Sequence, residues 1–131
     1  MVVKTGVALP DEVYKRLQEV AKAMGYGSIS KAIRDAVDIF IAFNSWWNQR
    51  GVLKGFLILL VDHERAPYVA KLLSEHDIVD YVLVEYIRRI RMEMMLAAVE
   101  GEAAEIKTLY KELTKLRGIY MMQPVFAPVP G

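Results

Sequence analysis

Two histidines (His63 and His76), sixteen carboxylates and a run of arginines at Arg88, Arg89 and Arg91 are the side chains that could do chemistry; no cysteine joins them. A metal centre needs several nitrogen, oxygen or sulfur donors converging on one point. His76 with Glu85 or Glu93 could hold zinc across a boundary between two copies, while His63 reads as a surface or hydrogen-bonded structural histidine. Met92, Met94 and Met95 are soft enough for monovalent copper, but methionines in a strand far more often fill a core. The three arginines fit a solvated hairpin tip. No nucleophile stands beside a base, no Gly-rich loop cradles a phosphate and no carboxylate pair marks a cleft. The expectation is that the chain is not an enzyme.

The elements that position these groups begin with residues 2–43. Val3, Thr5, Val7 and Leu9 alternate onto one face of a short strand, and Lys4, Gly6 and Ala8 onto the other. Pro10 sets the first turn of a helix, with Asp11 and Glu12 at its positive end. Its apolar stripe is Val13, Leu17, Val20, Ala21 and Met24, and Gly25 stops it. Ser28 caps a second helix whose stripe is Ile29, Ile33, Val37, Phe40 and Ile41. A lone strand leaves its backbone groups unpaired, and no second strand precedes Gly55. Pairing with the same strand of another copy resolves this and buries both stripes. The resulting two-stranded ribbon is narrow enough for the major groove of DNA.

Beyond Gly51 the pattern changes. Residues 55–61 form a continuous apolar run, a central strand buried on both faces. Pro67 opens a helix with Val69, Leu72, Leu73 and His76 inward. Strands follow at 79–87 and 92–99, joined by a turn over 88–91. Gly101 precedes a helix with Ile106, Leu109, Tyr110, Leu113 and Leu116 inward, and residues 119–126 make the last strand. The order β-α-β-β-α-β is the ferredoxin-like pattern. The expected class is α+β, divided as residues 1–45, a junction over 46–54, a second domain over 55–127 and a tail over 128–131. Of the adjacent tryptophans in the junction, one is expected beneath the first domain and one against the second.

Composition bounds the rest. The chain is 54% apolar with a formal net charge of +1, which gives no general argument for nucleic acid. Residues 1–50 hold seven basic against five acidic side chains, a slight excess in the half that carries the strand. Without a signal sequence or a span long enough for a bilayer, the expected location is the cytoplasm.

At Gly25, Tyr26, Ser30, Ala32, Ile33 and Arg34 the chain resembles ribbon-helix-helix regulators, which carry G-x-x-x-x-S-x-A-I-R at this junction. Together with the six-element second half, it is similar to the nickel-responsive repressor family. That resemblance implies an ACT-like second domain joining two dimers into a homotetramer. His63, Glu64 and the turn Val99-Glu100-Gly101 look similar as well. It also implies a nickel site of three histidines and one cysteine, two of the histidines as H-x-H on a strand. Here that strand reads VLVEYIRRI and the cysteine region RMEMM. The resemblance therefore points to a degenerate site near His76, Glu85, Tyr86, Arg88 and Glu93, and no nickel cofactor is expected. An arginine among Arg88, Arg89 and Arg91, paired with Glu85 or Glu93, could fill the place of the cation. Lys31 beside Asp35 suggests a second such exchange, where the family often has an acidic residue binding a cation.

For DNA, the resemblance places Lys4, Gly6 and Ala8 on the base-reading strand face, where Lys4 alone offers a side-chain donor. Ser28 and Ser30 begin the second helix and can hold a phosphate, and Arg65 matches a basic position near the DNA backbone. The expected function is a DNA-binding transcriptional repressor acting on double-stranded DNA. An oligomeric small-molecule sensor or scaffold without specific DNA binding, or an antitoxin-like regulator, are the alternatives.

Overall fold

The computed structural model describes residues 1–130; Gly131, the end of the expected tail, lies outside the described residues. The chain divides into two compact units, Met1–Ile41 and the remainder from Ala42.

In the first unit, residues 1–10 are exposed and form no ladder within the chain. Helix α1 (Asp11–Ala23) starts at Pro10, whose carbonyl accepts the Tyr14 N–H. It stops at Gly25, whose φ of 88° suits a residue without a Cβ. The Tyr26 N–H then donates to the Ala21 carbonyl. Helix α2 (Ile29–Asn44) is capped as expected, with the Ser28 hydroxyl accepting the Lys31 N–H at 3.2 Å. Within α1 and α2 only Ala21 and Ala32 are buried, and the stripes Val13, Val20, Ile33 and Val37 face solvent in the single chain.

The second unit opens with a short 3-10 turn, Ser45–Asn48, followed by β1 (Val52–Asp62), α3 (Ala66–Ser74), β2 (Val79–Ile87), β3 (Met92–Glu102), α4 (Ala103–Thr114) and β4 (Ile119–Pro128). The four strands form one antiparallel sheet in the order β2-β3-β1-β4. This is the ferredoxin-like, ACT-like order that the sequence pattern predicts. Strand β1 starts three residues before the apolar run, because residues 52–54 pair with Glu102, Gly101 and Glu100 of β3 and Leu53 is buried.

Pleating sorts the sheet into two faces. Leu57, Leu59 and Val61 of β1, with Met95, Ala97 and Val99 of β3, are buried together with Val69 and Leu73 of α3 and Ile106, Leu109 and Leu113 of α4. The opposite face carries Phe56, Ile58 and Leu60, aligned with Ala98, Leu96 and Met94 on one side and Val125, Gln123 and Met121 on the other. Tyr81, Leu83 and Glu85 of β2 extend that row. Tyr81, Leu83, Met94, Met121 and Val125 are exposed there. Gly55 is required where the sheet is tightest, since a Cβ there would stand 1.9 Å from the Val125 carbonyl oxygen.

The tryptophans correct an expectation. Trp46 is buried in the core of the second unit, edge-on to Tyr110 and Phe126, and Trp47 also meets Tyr110 at 5.7 Å. Both rings therefore pack against α4 of the second unit, because the 3-10 turn presents two successive side chains to the same helix.

Candidate functional site

In the first unit, Lys4, Gly6 and Ala8 lie in the exposed segment before α1. Ser28 and Ser30 are exposed at the start of α2, with Ser28 already engaged as the cap. Behind them, the Tyr26 hydroxyl donates to the Asp35 carboxylate at 2.5 Å, and the Lys31 ammonium stands 3.7 Å from the same carboxylate. The hydroxyl first, and then the charge of Lys31, hold the Asp35 carboxyl below the usual aspartate range despite its partial burial. The same hydrogen bond raises the Tyr26 phenol above its ordinary value. A tyrosine fixed at its N–H to α1 and at its hydroxyl to α2 ties the two helices across the loop.

In the second unit the candidate residues separate into three groups. His63 Nδ1 lies 3.0 Å from the Glu93 carboxylate, and the Tyr86 ring stacks against the imidazole with centroids 4.5 Å apart. His76 Nε2 instead lies 3.1 Å from Glu112 of α4. Glu85 alternates onto the open face of the sheet, with Leu83, whereas Tyr86 and Glu93 pair on the helix-covered face. Within one chain, then, His76 and Glu85 are apart from Tyr86 and Glu93. The pleat decides this: neighbouring strand residues point to opposite sides. Glu112, which α4 brings to His76, could not be found from local spacing.

The arginines sit at the β2–β3 turn. Arg91 adopts the left-handed conformation at φ 53° and pairs with Glu64 at 3.6 Å, both side chains largely exposed. No arginine is within ion-pair distance of Glu85 or Glu93 among the described residues of the single chain. Arg65, just before α3, lays its guanidinium 4.5 Å from the Tyr68 ring, and its Nε is buried without a hydrogen-bond partner. No group of three or more His, Cys, Asp or Glu side chains among the described residues could hold a metal ion. Among the described residues no helix is long and apolar enough to cross a membrane.

Residues 3–41 match the family model of ribbon-helix-helix proteins of the copG family. Over most of its length the chain is also similar to proteins named as regulators. A protein of Thermococcus onnurineus is 28% identical over 123 residues, covering 90% of this chain and 88% of the relative. One of Thermococcus kodakarensis is 29% identical over 125 residues, again covering 90% and 88%. Both carry the provisional name nickel-responsive regulator. An uncharacterized transcriptional regulator of Methanocaldococcus jannaschii is 29% identical over 123 residues, covering 88% of this chain and 90% of its own. Residues 3–41 thus resemble ribbon-helix-helix proteins of the copG family, at the head of a chain similar over most of its length to proteins provisionally named nickel-responsive regulators.

Proposed function

We propose that this protein is a DNA-binding transcription regulator of the nickel-responsive type whose second unit has lost the nickel site. The observation that carries this reading is the first unit's exposed period-2 segment beside two uncovered helix stripes. Two copies bury those stripes in one core and pair their segments as a ribbon, which enters the major groove of double-stranded DNA with Lys4, Gly6 and Ala8 outward. Ser28, Ser30 and Arg65 contact phosphates, which position the protein without reading sequence. The apolar open face of the second unit joins dimers into a homotetramer, since patches of this extent rarely stay wet.

The donor set does not fit nickel of the nitrogen-and-sulfur kind. The chain has no thiol, and its two imidazoles each engage a different carboxylate in different parts of the second unit. Fixed cations take over the tethering role: Lys31 stands beside Asp35 in the first unit, and at the β2–β3 turn, which also carries Arg88 and Arg89, Arg91 pairs with Glu64. Nothing in this arrangement calls for catalysis.

The test is a mobility-shift selection on random duplexes with the full chain at low and moderate salt. A recovered motif whose affinity falls steeply with salt supports the reading. Absence of binding at low salt would favour the sensor or scaffold role, toward which the donor-free Gly6 and Ala8 already lean. Sedimentation with chelator, for wild type and for Arg88→Ala, Arg89→Ala and Arg91→Ala, tests the assembly. A tetramer that survives chelator but loosens in one of the variants is the expected result.

A further inference from the structure

A groove of about 610 Å³ runs between α3 and the β2–β3 strands, with Ala66, Pro67, Ala70, Val84 and Met95 as its apolar wall. That volume is within the range of small-molecule sites, about 300–1,000 Å³. Pro67, Ala70 and Val84 also line an adjoining groove, which extends the apolar wall along β2 past Val82 to Val79.

The charged groups at the mouth are unequal. Arg91 and Glu64 stand on the rim, largely exposed, and neutralise one another at 3.6 Å. Glu93 is deeper, its side chain 17% exposed, and its partner is the His63 imidazole. Of the side chains with fixed charge that line the groove, Glu64 and Glu93 outnumber Arg91, and Glu93 is set against apolar carbon. A largely buried carboxylate set against apolar carbon is stabilised by a cation that reaches it. The Tyr86 ring behind His63 keeps the imidazole in place, so the carboxylate is presented in a fixed position.

We propose that this groove binds a small organic cation, a primary ammonium on an extended apolar chain. The ammonium donates to the Glu93 carboxylate beside His63, and the chain lies along Ala70, Val84 and Val82. Arg65, a phosphate contact in the proposed function, flanks this groove between Glu64 and Ala66, whereas Glu93 has no part in that contact. The groove gives the second unit an organic cation to sense where a metal does not fit.

Calorimetric titration of the full chain with hexylammonium, without DNA, tests the site whether or not the protein binds duplexes. Hexylammonium is expected to bind, and each methylene removed toward butylammonium to weaken binding by about fourfold. Glu93→Gln, which keeps shape and loses charge, is expected to lower affinity at least tenfold. Ala70→Leu, which fills the apolar wall while leaving Glu93 intact, is expected to do the same and serves alone if the first variant misfolds. Hexanoate binding as tightly as hexylammonium would overturn the proposal by reversing the charge preference. So would the absence of heat at millimolar hexylammonium, or an affinity unchanged in a folded variant.

Discussion

The two units of this chain solve the problem of a hydrophobic core in opposite ways. From Ala42 onward, two helices close one face of a four-stranded sheet, and Leu57, Leu59, Leu109 and Leu113 lose all contact with solvent. In Met1–Ile41 two good amphipathic helices enclose almost nothing; Val20, Val37 and Met24 remain more than half exposed. Sequence periodicity is equally clear in both. The difference is the closing partner: a sheet in the same chain for one, and for the other a surface that a single copy does not possess. If a second copy supplies that surface, folding of the first unit is tied to assembly, whereas the helix-covered core of the second unit closes within one chain.

The sharpest way to break that contrast is to damage both cores. Leu109→Ala in the second unit should lower stability by about 2–5 kcal/mol, since the surrounding sheet and helices cannot collapse into the space. Val37→Asp in the first unit should be nearly neutral, within about 0.5 kcal/mol, if the residue is as exposed in solution as in the single chain. If two copies share a core, it should abolish the dimer by burying an unpaired carboxylate. Light scattering on residues 1–45 gives the companion measurement. A dimer is expected for the natural sequence, and a folded monomer would mean the first strand pairs elsewhere.

Why each unit was or was not readable from the chain follows from the same contrast. Strands β2 to β4 and helices α3 and α4 are legible because burial on one face imposes a period on the sequence, and α1 and α2 because they carry the same apolar period although the single chain leaves it open. The cap of α2 is legible because Ser28 is a common N-cap, while that of α4 is not. There Glu102 and Glu105 form a capping box without the usual Ser or Thr, Glu105 reaching back to the Glu102 N–H at 3.3 Å. The candidate site was readable only in part. His63 as a hydrogen-bonded histidine follows from its type, but its partner Glu93 is thirty residues away and comes from strand register. His76 with Glu112 depends on the turn after α3 lying against α4, which no local pattern encodes.

A smaller effect separates the units by function. Lys4→Ala should weaken duplex binding by about 1–3 kcal/mol and relax base preference if the ammonium contacts a base edge. Arg65→Ala, in the second unit, should weaken binding uniformly across sequences and reduce the salt slope by about one charge. Quantitative mobility shifts at three salt concentrations distinguish the two. Equal behaviour of both variants would dissolve the division between a reading unit and an anchoring residue.

Acid and base should touch the first unit before the second. The folded Asp35 carboxyl lies below its ordinary range, so the stability it lends is present above the unfolded value and is lost as pH falls through the folded one. Tyr26 has the opposite sign: its phenol is raised, so its contribution holds below about 10 and disappears as pH climbs past the folded value. Helix content of the dimer followed against pH should show both limbs, and Tyr26→Phe should move the acid limb upward and remove the alkaline one. Limbs unchanged in that variant would place the titrating groups elsewhere.

The smallest expected effect is that of nickel. Coordinating imidazoles must be neutral and a thiol must give up its proton, so a nitrogen-and-sulfur site gains affinity with pH and stabilises whichever fold presents it. Here no thiol exists, and both imidazoles are engaged with carboxylates that come from different elements. Added nickel should therefore leave the melting temperature and the duplex affinity unchanged within error, at pH 6 as at pH 8. A ligand that binds the folded state at a hundred times its dissociation constant adds about 2.7 kcal/mol of stability, which a melting curve resolves easily. A rise of that size, growing with pH and abolished by His76→Ala, would show that copies of the chain pool His76 with carboxylates across an interface. The loss of the metal site would then be a property of the single chain and not of the assembly.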